Sequence, residues 1–246
     1  MTEKKSNNIW EFAKTIVWAV LIATVVRTTS YEPFNIPSGS MIPTLLVGDY
    51  LFVSKFSYGY SRYSMPLSPP IISERIFPSL PARGDVVVFR KPTDTDVDYI
   101  KRIIGLPGDK IQMKSGSLYI NGNLVKRRSI DGMPKMDPFG RKFLVPQFVE
   151  TLPNGRSYRI IEVLGDNGGA DNTRVFSVPR GHYFMMGDNR DNSVDSRDST
   201  VGFVPFQNFI GQADIIFWSW NKKWSWWQFW LWPNAIRFDR IFGIIK

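Results

Sequence analysis

Three polar clusters interrupt otherwise apolar stretches of the sequence, and they hold the side chains able to do chemistry. The first is Ile36-Pro37-Ser38-Gly39-Ser40-Met41-Ile42-Pro43-Thr44-Leu45, where two serines flank a glycine and prolines on both sides restrict the backbone. Such a segment is either a plain serine-glycine turn or a rigid bend exposing a serine nucleophile, with backbone N–H groups at hand for an oxyanion. The second is Asp98-Tyr99-Ile100-Lys101-Arg102-Ile103-Ile104-Gly105-Leu106-Pro107-Gly108-Asp109. On a strand, Tyr99, Lys101 and Ile103 share one face, and Ile100, Arg102 and Ile104 the other. A lysine in that company is either an edge lysine that snorkels and discourages aggregation, or a neutral amine acting as general base. At a pKa of ~10.4 roughly one lysine in a few thousand is neutral at pH 7. A pKa of ~8 makes about a tenth neutral, a shift of about 3 kcal/mol that apolar burial can supply. The third cluster, Met186-Gly187-Asp188-Asn189-Arg190-Asp191-Asn192-Ser193-Val194-Asp195-Ser196-Arg197, is dense in hydrogen-bonding groups. Its acidic spacing hints at a calcium loop, but the glycine and distal glutamate of an EF-hand are missing, so a polar scaffold beside a site fits better.

The rest of the composition narrows the chemistry. The 246 residues include no cysteine and one histidine, His182. Disulfide frameworks, zinc ribbons, iron–sulfur clusters, thiol nucleophiles and two-histidine metal sites are excluded. General bases are then carboxylate, amine or phenol, and His182, just before strand-like Tyr183-Phe184-Met185-Met186, reads as structural. No cofactor or metal is expected. The formal charge of +9 suits an anionic surface, lipid more than nucleic acid.

The elements that must position these clusters are mostly strands. Tyr50–Val53, Asp85–Phe89, Tyr99–Ile104 and Ser117–Ile120 are short β-branched or aromatic runs bounded by turn residues, and Asn121-Gly122 carries a type I′ hairpin signal. Residues 123–180, more polar and holding Pro134, Pro138, Pro146 and Pro153, read as a β-rich insertion with hairpins of its own. Before the β body lies a tail, residues 1–8, and an apolar run over 9–28 with Glu11 and Lys14 near its start. Ile9 to Val26 is 18 residues, roughly 27 Å of helix at ~1.5 Å per residue, enough for most of a ~30 Å core if Lys14 snorkels. Arg27-Thr28-Thr29-Ser30-Tyr31 offers no small-residue cleavage pattern, which favours an uncleaved single anchor over a signal peptide. Lys4, Lys5 and Lys14 at its start place the N-terminus inside and the body on the outer face. Seven of nine tryptophans fall between Trp218 and Trp232, in the pattern of an interfacial belt or of a core strand. The expected architecture is a single N-terminal transmembrane helix followed by an antiparallel β catalytic domain (29–122 and 181–246) with the smaller insertion at 123–180.

With Arg83-Gly84-Asp85-Val86-Val87 and the N-terminal run added, the three clusters form an ordered set. In that order the chain resembles the type I signal peptidases, or leader peptidases, membrane-anchored serine proteases of the Ser/Lys kind. The resemblance covers residues 9–120 and 180–205 well and the insertion poorly. It implies Ser40 as nucleophile and Lys101 as general base, later the acid for the leaving amine. It implies an oxyanion hole made by the Ser38 hydroxyl and the Ser40 backbone N–H. Ser193 would orient the Lys101 amine, Asp188 would pair with Arg102, and Asp195, Arg197 and Tyr99 would support the site. Substrate would bind as an added strand along Glu32–Ile36 and Asp98–Ile100. Shallow pockets lined by Phe34, Ile36, Met41, Leu45, Tyr99 and Ile100 would take small residues at positions −1 and −3. The implied partners are preprotein signal peptides and the phospholipid of a bacterial inner membrane, with the catalytic body on its outer side. Two rivals stand beside this reading. One is a non-catalytic, basic, membrane-anchored scaffold; the other is a cytosolic Ser/Lys autoprotease that represses genes, against which the apolar N-terminus argues.

Overall fold

The β-branched runs become strands that deliver the polar clusters to one side of a single sheet. The structure, a computed structural model, describes every residue except 1–3, 66–67, 69–71, 73, 137–138, 222–229, 231 and 246. Helix α1 (Lys4–Thr29) leads, one residue on, into β1 (Tyr31–Asn35), and then come β2 (Asp49–Ser54), β3 (Val86–Lys91), β4 (Asp94–Gly105), β5 (Lys110–Lys114) and β6 (Ser117–Ile120). The next segment holds β7 (Asn123–Leu124), β8 (Lys126–Met136), β9 (Lys142–Thr151), β10 (Ser157–Ile161) and β11 (Phe176–Ser177). The chain closes with β12 (His182–Met186), β13 (Val204–Pro205), β14 (Phe209–Ser219), a single turn α2 (Trp232–Ala235) and β15 (Gly243–Ile244).

The main sheet runs β1-β2-β14-β3-β4-β12-β13, with β15 added to β14, and every pairing is antiparallel. The mostly β expectation therefore holds. Within 123–180, β8, β9 and β10 make a three-stranded sheet of their own, while β7 and β11 join β5 and β6 in another. The hairpin at Asn121-Gly122 forms, both residues having positive φ (54° and 82°) as a type I′ turn requires. The insertion also shares the core: Leu152, Tyr158 and Ile160 pack with Ile104, Phe184 and Met186 of the main sheet. A second cluster joins Ile36, Met41, Leu45 and Leu51 to Val86 and Val88, and a third joins Val87, Phe89 and Ile103 to Tyr183 and Phe209. These clusters fix β3 and β4 from both faces, which is what makes the site they carry rigid.

The helix expected at the N-terminus forms, but among the described residues no helix is long and apolar enough to cross a membrane. Glu11 and Lys14, joined by a 2.9 Å ion pair, leave Thr15–Val26 as the uncharged part, 12 residues against the ~20 that a span takes. Most of the tryptophan-rich stretch, residues 222–229 and 231, lies outside the described residues. Of its flanks, Trp218 is the exposed penultimate residue of β14, and Trp220 meets Trp232 edge to face at 6.0 Å.

Candidate active site

β4 presents Lys101 and Arg102 to opposite faces, as strand alternation requires. Lys101 lies opposite Val87 of β3, and its side chain is almost wholly removed from solvent (4 % exposed). Ser40 sits 61 residues earlier on the bend between β1 and β2, yet the Lys101 Nζ donates to its Oγ at 2.6 Å. Several bonds hold that bend. The Asn189 backbone N–H donates to the Ser40 carbonyl at 3.0 Å, and the Asn189 amide to the Gly39 carbonyl at 2.9 Å. From the far end of the chain, Arg240 donates to the Thr44 carbonyl at 2.9 Å and to Asp49 at 2.5 Å.

Gly187 permits the close approach of these segments. A Cβ there would stand 2.2 Å from the Ser193 Oγ and 2.5 Å from the Ser40 carbonyl oxygen, so only glycine fits without displacing the bend. The next residue, Asp188, takes a two-pronged bond from Arg102, Nε to Oδ1 at 2.9 Å and Nη2 to Oδ2 at 2.7 Å, in a pair with almost no exposure. Thr44 donates to the same carboxylate at 2.5 Å, which ties the serine bend to the lysine strand by a second route. Asp195 accepts from the Gly187 N–H at 2.9 Å and holds Arg197 by two bonds of 2.9 Å. Removing a partner from such a buried pair leaves an uncompensated charge, worth about 3–5 kcal/mol.

Burial shifts the Lys101 amine toward its neutral form. Burial pulls the Lys101 ammonium down from 10.5 to about 8; Asp195 and Asp188 pull it back upward, and Arg197 pushes it further down. About a tenth of the amine is then unprotonated at pH 7 and half at pH 8. The Tyr99 ring centroid lies 5.3 Å from the Nζ. The Ser40 backbone N–H donates to no acceptor among the described residues, and the Ser38 hydroxyl stands 3.4 Å from the Ser40 Oγ on an exposed position.

Beside this pair opens a cleft of about 550 Å³, walled by Phe34, Ile36, Val88, Tyr99, Ile100 and Val194, with Ser38, Ser40, Lys101, Asp98 and Asn189 also on its lining. Its rims are unpaired strand edges. β1 is the outermost strand of its sheet, and β12 pairs only with Arg102, Ile103 and Gly105 of β4, leaving Asp98–Ile100 bonded to β3 alone.

Three of the expected site residues stand apart from the cleft lining or the amine among the described residues. Met41 and Leu45, expected in substrate pockets, are fully buried in the core with Leu51 and Val53 and do not line the cleft. The bend turns both inward, where they anchor the loop that carries Ser40. Ser193, expected to orient the Lys101 amine, makes no bond to it; its Oγ is buried without a hydrogen-bond partner against Gly187. Conversely Asn189, Thr44 and Gly187 hold the bend, and Val88 and Val194 wall the cleft, roles that no residue type in the sequence announces. His182 bonds the Arg180 carbonyl through Nδ1 at 2.9 Å and has no place on the cleft.

A hydroxyl held by a buried amine beside an apolar cleft is the equipment of a hydrolase. Comparison with known proteins narrows that class. Residues 9–218 match the family described as signal peptidase, peptidase S26. Signal peptidase I of Rickettsia typhi is 45% identical, with 94% of this chain and 92% of that protein aligned. Signal peptidase I of Rickettsia canadensis is 43% identical over 98% of this chain and 94% of its own length. A crystal structure of a signal peptidase I from Enterococcus faecalis aligns with 55% of this chain and 97% of its own at 28% identity, with a TM-score of 0.32. The chain belongs to the signal peptidase S26 family. It is a signal peptidase enzyme, acting in the removal of signal peptides from preproteins, and the scaffold reading falls.

Proposed function

We propose that the chain cleaves preproteins after small residues by a Ser40 nucleophile with Lys101 as its general base. The observation that carries this reading is the 2.6 Å contact between the Lys101 Nζ and the Ser40 Oγ in a place where burial keeps the amine partly neutral. As the Ser40 Oγ attacks the scissile carbonyl, Lys101 accepts its proton; the ammonium then protonates the leaving amine, and the acyl-enzyme remains. Lys101, neutral again, deprotonates a water, which attacks the ester and releases Ser40. The Ser40 N–H, which meets no acceptor among the described residues, and the Ser38 hydroxyl would serve as the two donors to an oxyanion.

Substrate adds as an extended strand between the free edges of β1 and β4, hydrogen-bonding through its backbone. Phe34, Ile36, Tyr99, Ile100, Val88 and Val194 close the cleft around side chains that alternate along that strand, which supports small residues at −1 and −3. Arg102, Asp188, Asp195 and Arg197 act as braces, through the ion pairs given above.

The same reading places α1 in the bacterial inner membrane, N-terminus in the cytoplasm and β body outside. Its 26 residues reach about 39 Å at ~1.5 Å each. Ile9, Trp10, Phe12, Ile16, Val17, Trp18, Val20, Leu21, Ile22 and Val25 are exposed around the whole circumference, an apolar surface that water does not favour. Lys14 can snorkel to the headgroups, and the +9 charge suits anionic lipid. The test is incubation of the full chain in detergent with an Ala-x-Ala preprotein, followed by mass spectrometry. Cleavage after the second alanine is expected, and loss of it in both Ser40→Ala and Lys101→Ala. Turnover retained in either variant refutes the pair.

A further inference from the structure

Away from the cleft, three carboxylates meet where the insertion touches the Asp188 segment. Oxygens of Glu162, Asp171 and Asp191 all lie within 4.8 Å of one another. Glu162 is completely buried, and neither of its oxygens has a hydrogen-bond partner; the Asp171 Oδ1 is likewise buried and unpartnered. Two of the other three oxygens accept backbone N–H groups. The Asp171 Oδ2 takes the Gly168 N–H at 2.5 Å, and the Asp191 Oδ2 takes the Leu164 N–H at 2.7 Å. Gly168 is required here, since a Cβ on it would stand 2.0 Å from the Asp191 Oδ1.

Neighbouring cations offset the charge of the group without hydrogen-bonding its unpartnered oxygens. Arg190 bonds Glu150, and its Nε and Nη1 find no acceptor, so it makes no hydrogen bond to Glu162. Arg197 is committed to Asp195. Burial pushes the Glu162 carboxyl up to about 8, with Asp171 and Asp191 adding to the rise against Arg190. A buried carboxylate without partners is costly, and either a proton or a metal ion must relieve it.

We propose that Glu162, Asp171 and Asp191 bind one hard divalent cation of the calcium class. The donor set is all oxygen, which excludes the softer transition metals as preferred ligands, and three carboxylates are more than magnesium usually takes from protein. Oxygen ligands at ~2.4 Å from one ion span the observed separations. Asp191, only half-buried, leaves a side open for the waters that complete the shell. Because Ile161 donates its N–H to the Asp188 carbonyl at 3.0 Å, an ion at Glu162 would stiffen the segment that carries the Arg102 partner.

The experiment uses the full chain in detergent, stripped with a chelator, at pH 7.5. Calorimetric titration with calcium chloride should show one ion per chain, with a Kd of about 10⁻⁴–10⁻³ M or tighter. A hundredfold excess over Kd should raise the unfolding midpoint by roughly 5–10 °C. Glu162→Gln should keep the fold and lose the response; the less buried Asp191→Asn serves if that variant does not fold. No binding by the wild type up to about 10 mM calcium, beyond the weakest protein sites, overturns the proposal. So does a variant that binds as the wild type does. A midpoint that ignores calcium and rises on acidification from pH 9 to 7 assigns the relief to a proton on Glu162, which also overturns it.

Discussion

Lys101→Met separates what the buried amine does for catalysis from what it costs the fold. In the folded chain the amine titrates at about 8, against 10.5 when free. The folded protein thus holds fewer protons than the unfolded one between these values, so stability rises with pH across that window. Below pH 8 the penalty for burying Lys101 is fully present, and above 10.5 it is gone. At pH 7 the difference amounts to about 3 kcal/mol at most, before the loss of the bond to Ser40 is set against it. Lys101→Met should therefore unfold at a higher denaturant midpoint than the wild type at pH 7, with the gap closing toward pH 10.5, while showing no cleavage. For the wild type, kcat/KM on a peptide without titrating groups should follow the neutral fraction of Lys101. That fraction rises from roughly 1% at pH 6 to about 90% at pH 9, nearly ninetyfold. Asp195 holds the amine upward, so Asp195→Asn should move this limb to lower pH. A flat profile between pH 6 and 9, or a stability advantage of Lys101→Met over the wild type that is no larger at pH 7 than at pH 10, refutes the account of the amine.

Two other substitutions probe the geometry. Ser38→Ala removes one proposed oxyanion donor and should lower kcat about 10²-fold with KM little changed, measured by steady-state peptide cleavage. Gly187→Ala puts a methyl 2.2 Å from the Ser193 Oγ and 2.5 Å from the Ser40 carbonyl; displacement of the bend should cost about 1–3 kcal/mol in chemical denaturation and most of the activity.

The strands were legible because their signals are local. The alternation of Tyr99, Lys101 and Ile103 against Ile100, Arg102 and Ile104 is realised in β4, and the turn at Asn121-Gly122 forms as its residue types require. The orientation of Met41 and Leu45 was not, since the bend from Pro37 to Pro43 has no period from which inward and outward can be read. Which hydroxyls a buried amine meets depends on contacts such as that with Ser40, 61 residues away, while the Ser193 Oγ lies beside Gly187 without a partner. The carboxylate group at Glu162 has no local signal for the same reason, since Glu162 follows β10 and its partners Asp171 and Asp191 lie on separate later segments.

A single residue separates α1 from β1, so the proposed membrane placement of the helix would fix where β1 begins. β1 is five residues long, about 16 Å at ~3.3 Å each, and it runs from the end of the helix to the bend that bears Ser40. With α1 in the bilayer, that strand sets the height of the reacting hydroxyl above the lipid. A substrate laid antiparallel or parallel to β1 spans the same gap with about the same number of residues. On the proposed membrane placement, a cut counted from the bilayer surface would add selection by spacing to the proposed selection by side-chain size.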